Sequence, residues 1–151
     1  MRDLNRHTSS SHARSQRKTR PTQVEALETR QMLSAGLSPV WKLAGDAGRQ
    51  ASDDVIVVEV DPNDATQLQA SINGQVVGSR AIDSLTRIRI DAGRGNDTVT
   101  VTLPEGVTIP VWVNGGRGDD TITTGAGDDT IYGGAGDDVL SGGDGDDRIY
   151  G

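Results

Sequence analysis

Pairs of aspartates follow glycine-rich turns at a fixed spacing in the last third of this sequence. Glycine tolerates positive φ angles, so such turns can aim several backbone carbonyl oxygens at one point. Carbonyl and carboxylate oxygens together are the hard ligands that Ca²⁺ takes in six- to eight-fold coordination. The turns with their aspartates therefore supply the kinds of oxygen that a calcium site requires.

The spacing comes from a nine-residue repeat. Residues 115–150 divide without a gap into four nonapeptides, which begin at Gly115, Thr124, Gly133 and Gly142. Positions two and four are always Gly, positions five and six always Asp, and position eight is Ile or Leu. A separate copy at 92–100 places Asp97 at position six. A single Gly-x-Gly-x-Asp is most often an ordinary turn, but turns alone do not require Asp at the same place each time.

The repeat resembles the calcium-binding nonapeptide G-G-x-G-x-D-x-U-x of the RTX, or hemolysin-type, family, over 92–100 and 115–151. The resemblance implies a right-handed parallel β-roll with two nonapeptides per turn, in which repeats n and n+2 share an ion. It places Asp120 and Asp138 beside one Ca²⁺ and Asp129 and Asp147 beside another on the opposite side, with Asp97 as a further candidate. Backbone carbonyls are expected near Gly116, Gly118, Gly125, Gly127, Gly134, Gly136, Gly143 and Gly145.

The first aspartate of each pair is expected to brace its turn rather than to bind the ion; these are Asp119, Asp128, Asp137 and Asp146. Without metal, the paired carboxylates repel one another. Each nonapeptide buries a single Ile or Leu, worth at best ~1.5–3 kcal/mol, against the entropy of ordering the whole repeat. We therefore expect the repeats to be disordered without calcium and to fold on binding it. The affinity should lie in the range of extracellular modules, on the order of 10⁻⁴–10⁻³ M.

The composition supports a metal as the stabilising element. Hydrophobic residues make up 33% of the chain, Phe and Cys are absent, and there are 20 glycines. Chains with so thin a core commonly depend on disulfides, a metal or a partner, and here disulfides are excluded. The acids concentrate in residues 91–151, with twelve Asp or Glu against three Arg, a local −9.

The chain ahead of the repeats is predicted to be all-β from residue 53. Residues 54–60 are β-branched, Asn73-Gly74 is a hairpin signal, and 85–90 alternates with Ile88 and Ile90 inward. We expect an irregular β-solenoid or β-sheet region over 53–113, the β-roll over 114–151 and a linker over 37–52. Asp53-Asp54 carries the end of the nonapeptide without its glycines and is interpreted as a degenerate turn.

Residues 1–36 form a basic leader, expected to be disordered apart from a short helix. Residues 1–31 hold seven Arg or Lys against three acids, a local +4. Leu27-Glu28-Thr29-Arg30 followed by Met32-Leu33-Ser34-Ala35 resembles the LEPR-x-LLSA leader of surface and secreted proteins of planctomycete-type bacteria. That resemblance implies export, with processing near Ala35. No apolar run is long enough for a membrane-spanning helix.

No enzymatic site is apparent in the sequence. His7 and His12 lie in the basic leader, cysteine chemistry is impossible, and no Ser/His/Asp arrangement has a scaffold. We expect no nucleic-acid partner, because no aromatic residue interleaves the basic ones. The favoured function is calcium binding in a secreted or cell-surface protein, with an extracellular or cell-surface partner left open. Two alternatives remain: a repeat-bearing fragment of a larger secreted enzyme or toxin (protease, lipase or alginate epimerase type), and a passive solubilising spacer.

Overall fold

Eleven β-strands and one short 3₁₀ helix, Ile82–Ser84, make up the described part of the chain. The structure is a computed structural model and describes residues 39–46 and 51–151. The predicted leader at 1–36 lies outside the described residues. The prediction of an all-β fold is confirmed. The strands are β1 (Val40–Ala44), β2 (Val55–Asp61), β3 (Asp64–Ile72), β4 (Gln75–Ala81), β5 (Arg87–Arg94), β6 (Thr98–Val101), β7 (Val111–Arg117), β8 (Thr121–Thr123), β9 (Thr130–Ala135), β10 (Val139–Ser141) and β11 (Arg148–Tyr150).

The strands form two sheets between which the chain alternates. The first sheet has the order β1-β5-β7-β9-β11, and all its neighbours are parallel. The second has the order β10-β8-β6-β2-β3-β4; it is parallel from β10 to β2, and the antiparallel pair β3 and β4 extends it. A strand of the first sheet, the following turn and the next strand of the second sheet belong to one coil, and successive coils stack.

Register shows that the nonapeptides set the coil length. Asn114 lies beside Tyr132 in the first sheet and Ile122 beside Leu140 in the second, so stacked residues are two nonapeptides apart. Upstream the coils are longer. Each still contributes one strand to each sheet, but residues 102–110 and the β3–β4 hairpin are inserted between these strands. The repeats and the region before them therefore share one strand arrangement.

The core is a set of apolar columns between the two sheets. Position eight of each nonapeptide lies on this inner side: Ile122 and Ile131 are fully buried, Leu140 is half-buried, and Ile149 in the last strand is 46% exposed. Because equivalent residues stack from coil to coil, each column needs only one branched side chain per strand. One column in the second sheet consists of Ile56, Val99, Ile122 and Leu140, and one in the first sheet of Leu43, Ile90, Val113, Ile131 and Ile149.

The segment predicted to be a linker, 37–52, contains a strand. β1 pairs in parallel with β5, and Trp41 and Leu43 are only 6% and 7% exposed. Alternation of these two apolar residues with the exposed Lys42 was the available signal. This alternation is too short to predict a strand by itself. The strand is held by pairing of Trp41 with Ile88 and of Leu43 with Ile90, so it adds one more layer to the apolar columns.

The predicted hairpin and the predicted facing of β5 are both confirmed. Asn73 and Gly74 adopt positive φ angles of 52° and 75° between β3 and β4, as a tight two-residue turn requires. In β5, Ile88 and Ile90 are buried. The described residues contain no helix that is long and apolar enough to cross a membrane.

Candidate metal centre

One edge of the stack, here called the first edge, carries a column of carboxylates from four successive coils. In this column the backbone N–H of each aspartate donates to Oδ1 of the aspartate in the next coil. The column therefore includes Asp97, although Asp120 lies 23 residues further on rather than 18. The three hydrogen bonds are Asp54 N to Asp97 Oδ1 at 2.8 Å, Asp97 N to Asp120 Oδ1 at 2.8 Å and Asp120 N to Asp138 Oδ1 at 2.9 Å.

The opposite edge, here called the second edge, repeats the arrangement with the other two predicted ligands. The N–H of Asp129 donates to Oδ1 of Asp147 at 3.0 Å, and the N–H of Val111 donates to Oδ1 of Asp129 at 2.7 Å. The structure therefore brings Asp120 next to Asp138 and Asp129 next to Asp147, in the pairs that the sequence indicated. Their role as ion ligands remains a prediction.

The position-five side chains form a separate ladder whose hydrogen bonds run the opposite way. Here Oδ1 accepts the N–H of the equivalent residue in the next coil, as Asp119 does from Asp137 at 2.9 Å and Asp128 from Asp146 at 3.1 Å. Asn96 accepts in the same way from Asp119, and Asp53 from Asn96. These contacts brace the turns, which is the role predicted for the first aspartate of each pair.

The second oxygen of the position-six carboxylates is left without a hydrogen bond. Oδ2 of Asp97, Asp120, Asp129 and Asp138 is buried and has no partner among the described residues. Asp97, Asp120 and Asp129 are at most 1% exposed as whole residues. A buried oxygen without a partner costs on the order of 1–3 kcal/mol, and more if it is charged. Such oxygens are suited to a cation.

Backbone carbonyls lie in the same turns. Gly116 and Gly118 have φ angles of 114° and 123°. Their carbonyl oxygens lie against the Cα atoms of Gly134 and Gly136 in the next coil, where a side chain would clash with them. A Cβ on Gly115 would collide with Asp120 Oδ2 and lie only 2.6 Å from the Gly133 carbonyl oxygen. Glycine thus leaves room for carbonyl and carboxylate oxygens to converge between coils.

The donor set fits calcium. Among residues 39–46 and 51–151, no three His, Asp or Glu side chains cluster tightly enough to hold an ion by themselves. A site must therefore combine carboxylate with backbone oxygens, a mixture that Ca²⁺ accepts readily. In Asp97, Asp120, Asp129 and Asp138, Oδ1 accepts a backbone hydrogen bond, and Oδ2 has no partner among the described residues.

The electrostatics of the column depend on burial and on like charge. Burial raises the pKa of the Asp97 carboxyl to about 6, and the carboxylates of Asp120, Asp54 and Asp46 add to the rise. Burial likewise raises the pKa of Asp120 and of Asp129. These groups resist ionisation in the absence of a cation, which is the behaviour expected at a site that an ion completes.

The sequence did not indicate that the turn before β2, and Asp54 in particular, forms part of the first edge. Asp54 is 3% exposed; its Oδ2 accepts the N–H of Asp46 at 2.7 Å and its Oδ1 the side-chain amide of Asn73 at 2.7 Å. The hydrogen bond from Asp46 lowers the pKa of Asp54. Asp46 itself has a φ of 48°, where the repeats have glycine. The sequence signal for this turn was Gly45, which precedes Asp53-Asp54 as glycine precedes the aspartates of the repeats. The residues inserted between Gly45 and Asp53 obscured it.

Comparison with known families agrees with this geometry. The model of the RTX calcium-binding nonapeptide repeat matches in four copies, at residues 89–100, 112–140 and 123–151. The chain carries RTX calcium-binding nonapeptide repeats. Calcium is accordingly the ion that these repeats bind. No curated protein and no solved structure shows a significant match to the chain.

Proposed function

We propose that this chain is an exported, non-enzymatic calcium-binding module whose RTX repeats fold into a right-handed parallel β-roll as Ca²⁺ binds. The observation that carries the proposal is the set of buried Oδ2 oxygens without hydrogen-bond partners on position-six aspartates. An isolated fold gains nothing from burying such oxygens, whereas a folded state that holds a cation gains the ion's binding energy.

The proposed ions lie between adjacent coils. On the first edge, Asp120 and Asp138 would hold one ion together with carbonyls of the glycine turns, and on the second edge Asp129 and Asp147 would hold another. Bound Ca²⁺ would offset the like charges and link one coil to the next. Without that link, the last coil has little to hold it, since its inward-directed Ile149 is 46% exposed.

The donor set favours calcium over magnesium. Mg²⁺ requires near-ideal octahedral geometry at 2.0–2.1 Å and loses its water reluctantly, whereas Ca²⁺ accepts six to eight oxygens in flexible arrangements. Carbonyls fixed by the coil backbone cannot contract to suit the smaller ion. Folding should therefore respond to Ca²⁺ and not to Mg²⁺.

The test is a far-UV circular dichroism titration of the full chain with CaCl₂ and, separately, with MgCl₂. We expect β signal to appear at millimolar or lower Ca²⁺ and not with Mg²⁺. Asp138→Asn/Asp147→Asn replaces the ion-facing Oδ2 atoms and should raise the calcium midpoint. The matched control is Asp137→Asn/Asp146→Asn, which changes the charge equally at neighbouring exposed residues. A spectrum that is insensitive to calcium would instead favour the passive spacer.

Export is the second part of the proposal. Weak calcium sites suit a protein that folds outside the cell, where calcium is abundant, and the leader-like segment at 24–35 suits that destination. The RTX repeats do not favour the fragment of a larger enzyme over a binding module. A tagged full chain, expressed in a planctomycete-type host, should reach the medium or the cell surface and lose residues up to about Ala35. Retention inside the cell would contradict this part.

A further inference from the structure

The two edges of the stack differ at the first residue of the turn. On the first edge this residue is Gly115, and Gly133 follows it in the next coil. On the second edge it is Thr124, followed by Gly142. Thr124 is therefore the one departure from glycine at position one among the four contiguous nonapeptides, and it lies within the turn that contains Asp129.

Thr124 is built into the site rather than exposed beside it. The whole residue is 2% exposed, and its hydroxyl donates to the Gly142 carbonyl oxygen at 2.8 Å. The matching oxygen on the first edge, that of Gly133, faces the bare Cα of Gly115. The second edge thus offers an ion one carbonyl that already has a hydrogen bond.

The same hydroxyl lies close to the neighbouring carboxylate. Burial raises the pKa of Asp129, and the Thr124 hydroxyl partly offsets that rise. The hydroxyl donates to the Gly142 carbonyl at 2.8 Å and lies 3.5 Å from the Ser141 carbonyl oxygen, while Asp129 Oδ2 has no hydrogen-bond partner among the described residues. Thr124 therefore stands between two oxygens of adjacent coils that a shared cation would otherwise join.

We infer that Thr124 weakens the calcium site of the second edge by linking its two coils with a hydrogen bond in place of part of the ion's coordination. The inference rests on the proposed function, since it ranks two sites of that kind. The hydroxyl competes with the ion for the Gly142 carbonyl, and the side chain fills space that glycine leaves open at Gly115. The first edge, between Asp120 and Asp138, is the tighter site.

The size of the effect follows from the hydrogen bond that an ion must displace. A net hydrogen bond of about 1 kcal/mol corresponds to roughly a fivefold change in affinity. Together with the steric effect of the side chain, this hydrogen bond should make the calcium affinity of the second edge five- to tenfold lower than that of the first. Replacing Thr124 with glycine should therefore raise the calcium affinity of the second edge by the same factor.

The test uses the full chain titrated with CaCl₂ and followed by ¹H–¹⁵N NMR at the amides of Gly125 and Gly127. Thr124→Gly should lower their calcium midpoint five- to tenfold relative to Thr123→Gly. Thr123 is the neighbouring exposed threonine, and its replacement has the same glycine entropy cost. Thr124→Val keeps the bulk and loses the hydroxyl, so it should lower the midpoint by only about fivefold, the share that belongs to the hydrogen bond. Gly115→Thr, the reciprocal change, should raise the midpoint of the first edge.

The outcomes distinguish a failure of the role assigned to Thr124 from a failure of the proposed calcium binding. A Thr124→Gly midpoint equal to or above that of Thr123→Gly overturns the inference and leaves calcium binding intact. The absence of calcium-dependent shifts in every variant and in the unaltered chain overturns the proposed function, and the inference with it. Spectra at saturating calcium show whether each variant has folded.

Discussion

The backbone N–H of Asp120 donates a 2.9 Å hydrogen bond to Oδ1 of Asp138, one coil further along the chain. The other oxygen of the same carboxylate, Oδ2, is buried and has no partner among the described residues. The two oxygens therefore differ: one links adjacent coils, and the other is the atom at which we propose that a cation binds. Asparagine keeps the first and removes the second, so Asp→Asn variants separate folding geometry from ion binding.

Gly115→Ala should weaken calcium binding on the first edge. The new Cβ would collide with Asp120 Oδ2 and approach the Gly133 carbonyl oxygen to 2.6 Å, so both would have to move away. We expect at least a tenfold higher calcium midpoint by circular dichroism, equivalent to about 1.4 kcal/mol. Gly78→Ala is the control, because a Cβ there meets nothing within 4 Å. Equal midpoints for the two variants would contradict the proposed placement of the ligands.

Asp97→Asn tests whether the separate repeat copy takes part in ion binding. Asp97 is in register with Asp120, and its buried Oδ2 has no partner, as in the contiguous repeats. Isothermal titration calorimetry should show fewer bound ions per chain, or one class of site weakened about tenfold. Asp53→Asn is the matched control, since Asp53 belongs to the bracing ladder. An unchanged isotherm for Asp97→Asn would limit the ion sites to the contiguous nonapeptides.

Asn73→Gly should destabilise the first coil even when calcium is bound. Glycine keeps the positive φ of 52° but loses the side chain, which accepts the Val55 N–H at 2.8 Å and donates to Asp54 Oδ1 at 2.7 Å. We expect a loss of about 1–2 kcal/mol in the free energy of unfolding. Urea denaturation in saturating calcium measures it, with Asn63→Gly as the control. A large shift of the calcium midpoint without loss of stability would mean that Asn73 acts on the ions instead.

Acidification should stabilise the calcium-free fold. The pKa of Asp97 is about 6 in the folded state, above its ordinary value of 3.8, so the folded state binds protons more tightly than the unfolded chain. Its contribution to stability is complete below the ordinary value and is lost as pH rises through 6. The lowered pKa of Asp54 acts in the opposite sense, because its contribution is lost as pH falls below its ordinary value.

The stability maximum of the calcium-free protein therefore lies between about pH 4 and 6. Circular dichroism in calcium-depleted buffer should show more β signal at pH 5 than at pH 7.5. Calcium affinity should fall over the same range, because protons compete for the carboxylates. If β signal instead decreased on acidification, burial of these carboxylates would not be the dominant effect.

The sequence predicts the repeat region well because its signals are local and redundant. Glycines at two and four, Asp at six and the apolar residue at eight indicate turn, ligand and core within each nine residues, and stacking of Ile122 on Leu140 follows from the period. The hairpin at Asn73-Gly74 is equally local. These features do not depend on distant parts of the chain.

The parts that sequence reasoning missed depend on contacts across long separations. β1 is held by β5, with Trp41 beside Ile88, and nothing near Trp41 in the sequence indicates that partner. Asp54 meets Asp97 across 43 residues because the hairpin lies outside the coil between them. The link from Thr124 to Gly142 likewise becomes visible only when the coils are stacked.

Long-wavelength anomalous diffraction from crystals of the full chain grown in millimolar CaCl₂ would test the central claim most directly. The account predicts calcium peaks between adjacent coils, within about 2.3–2.6 Å of Oδ2 atoms of the position-six aspartates and of glycine carbonyls. The peak between Asp120 and Asp138 should be stronger than the peak between Asp129 and Asp147. Peaks confined to exposed carboxylates such as Asp137, or an ordered fold without peaks between coils, would contradict it.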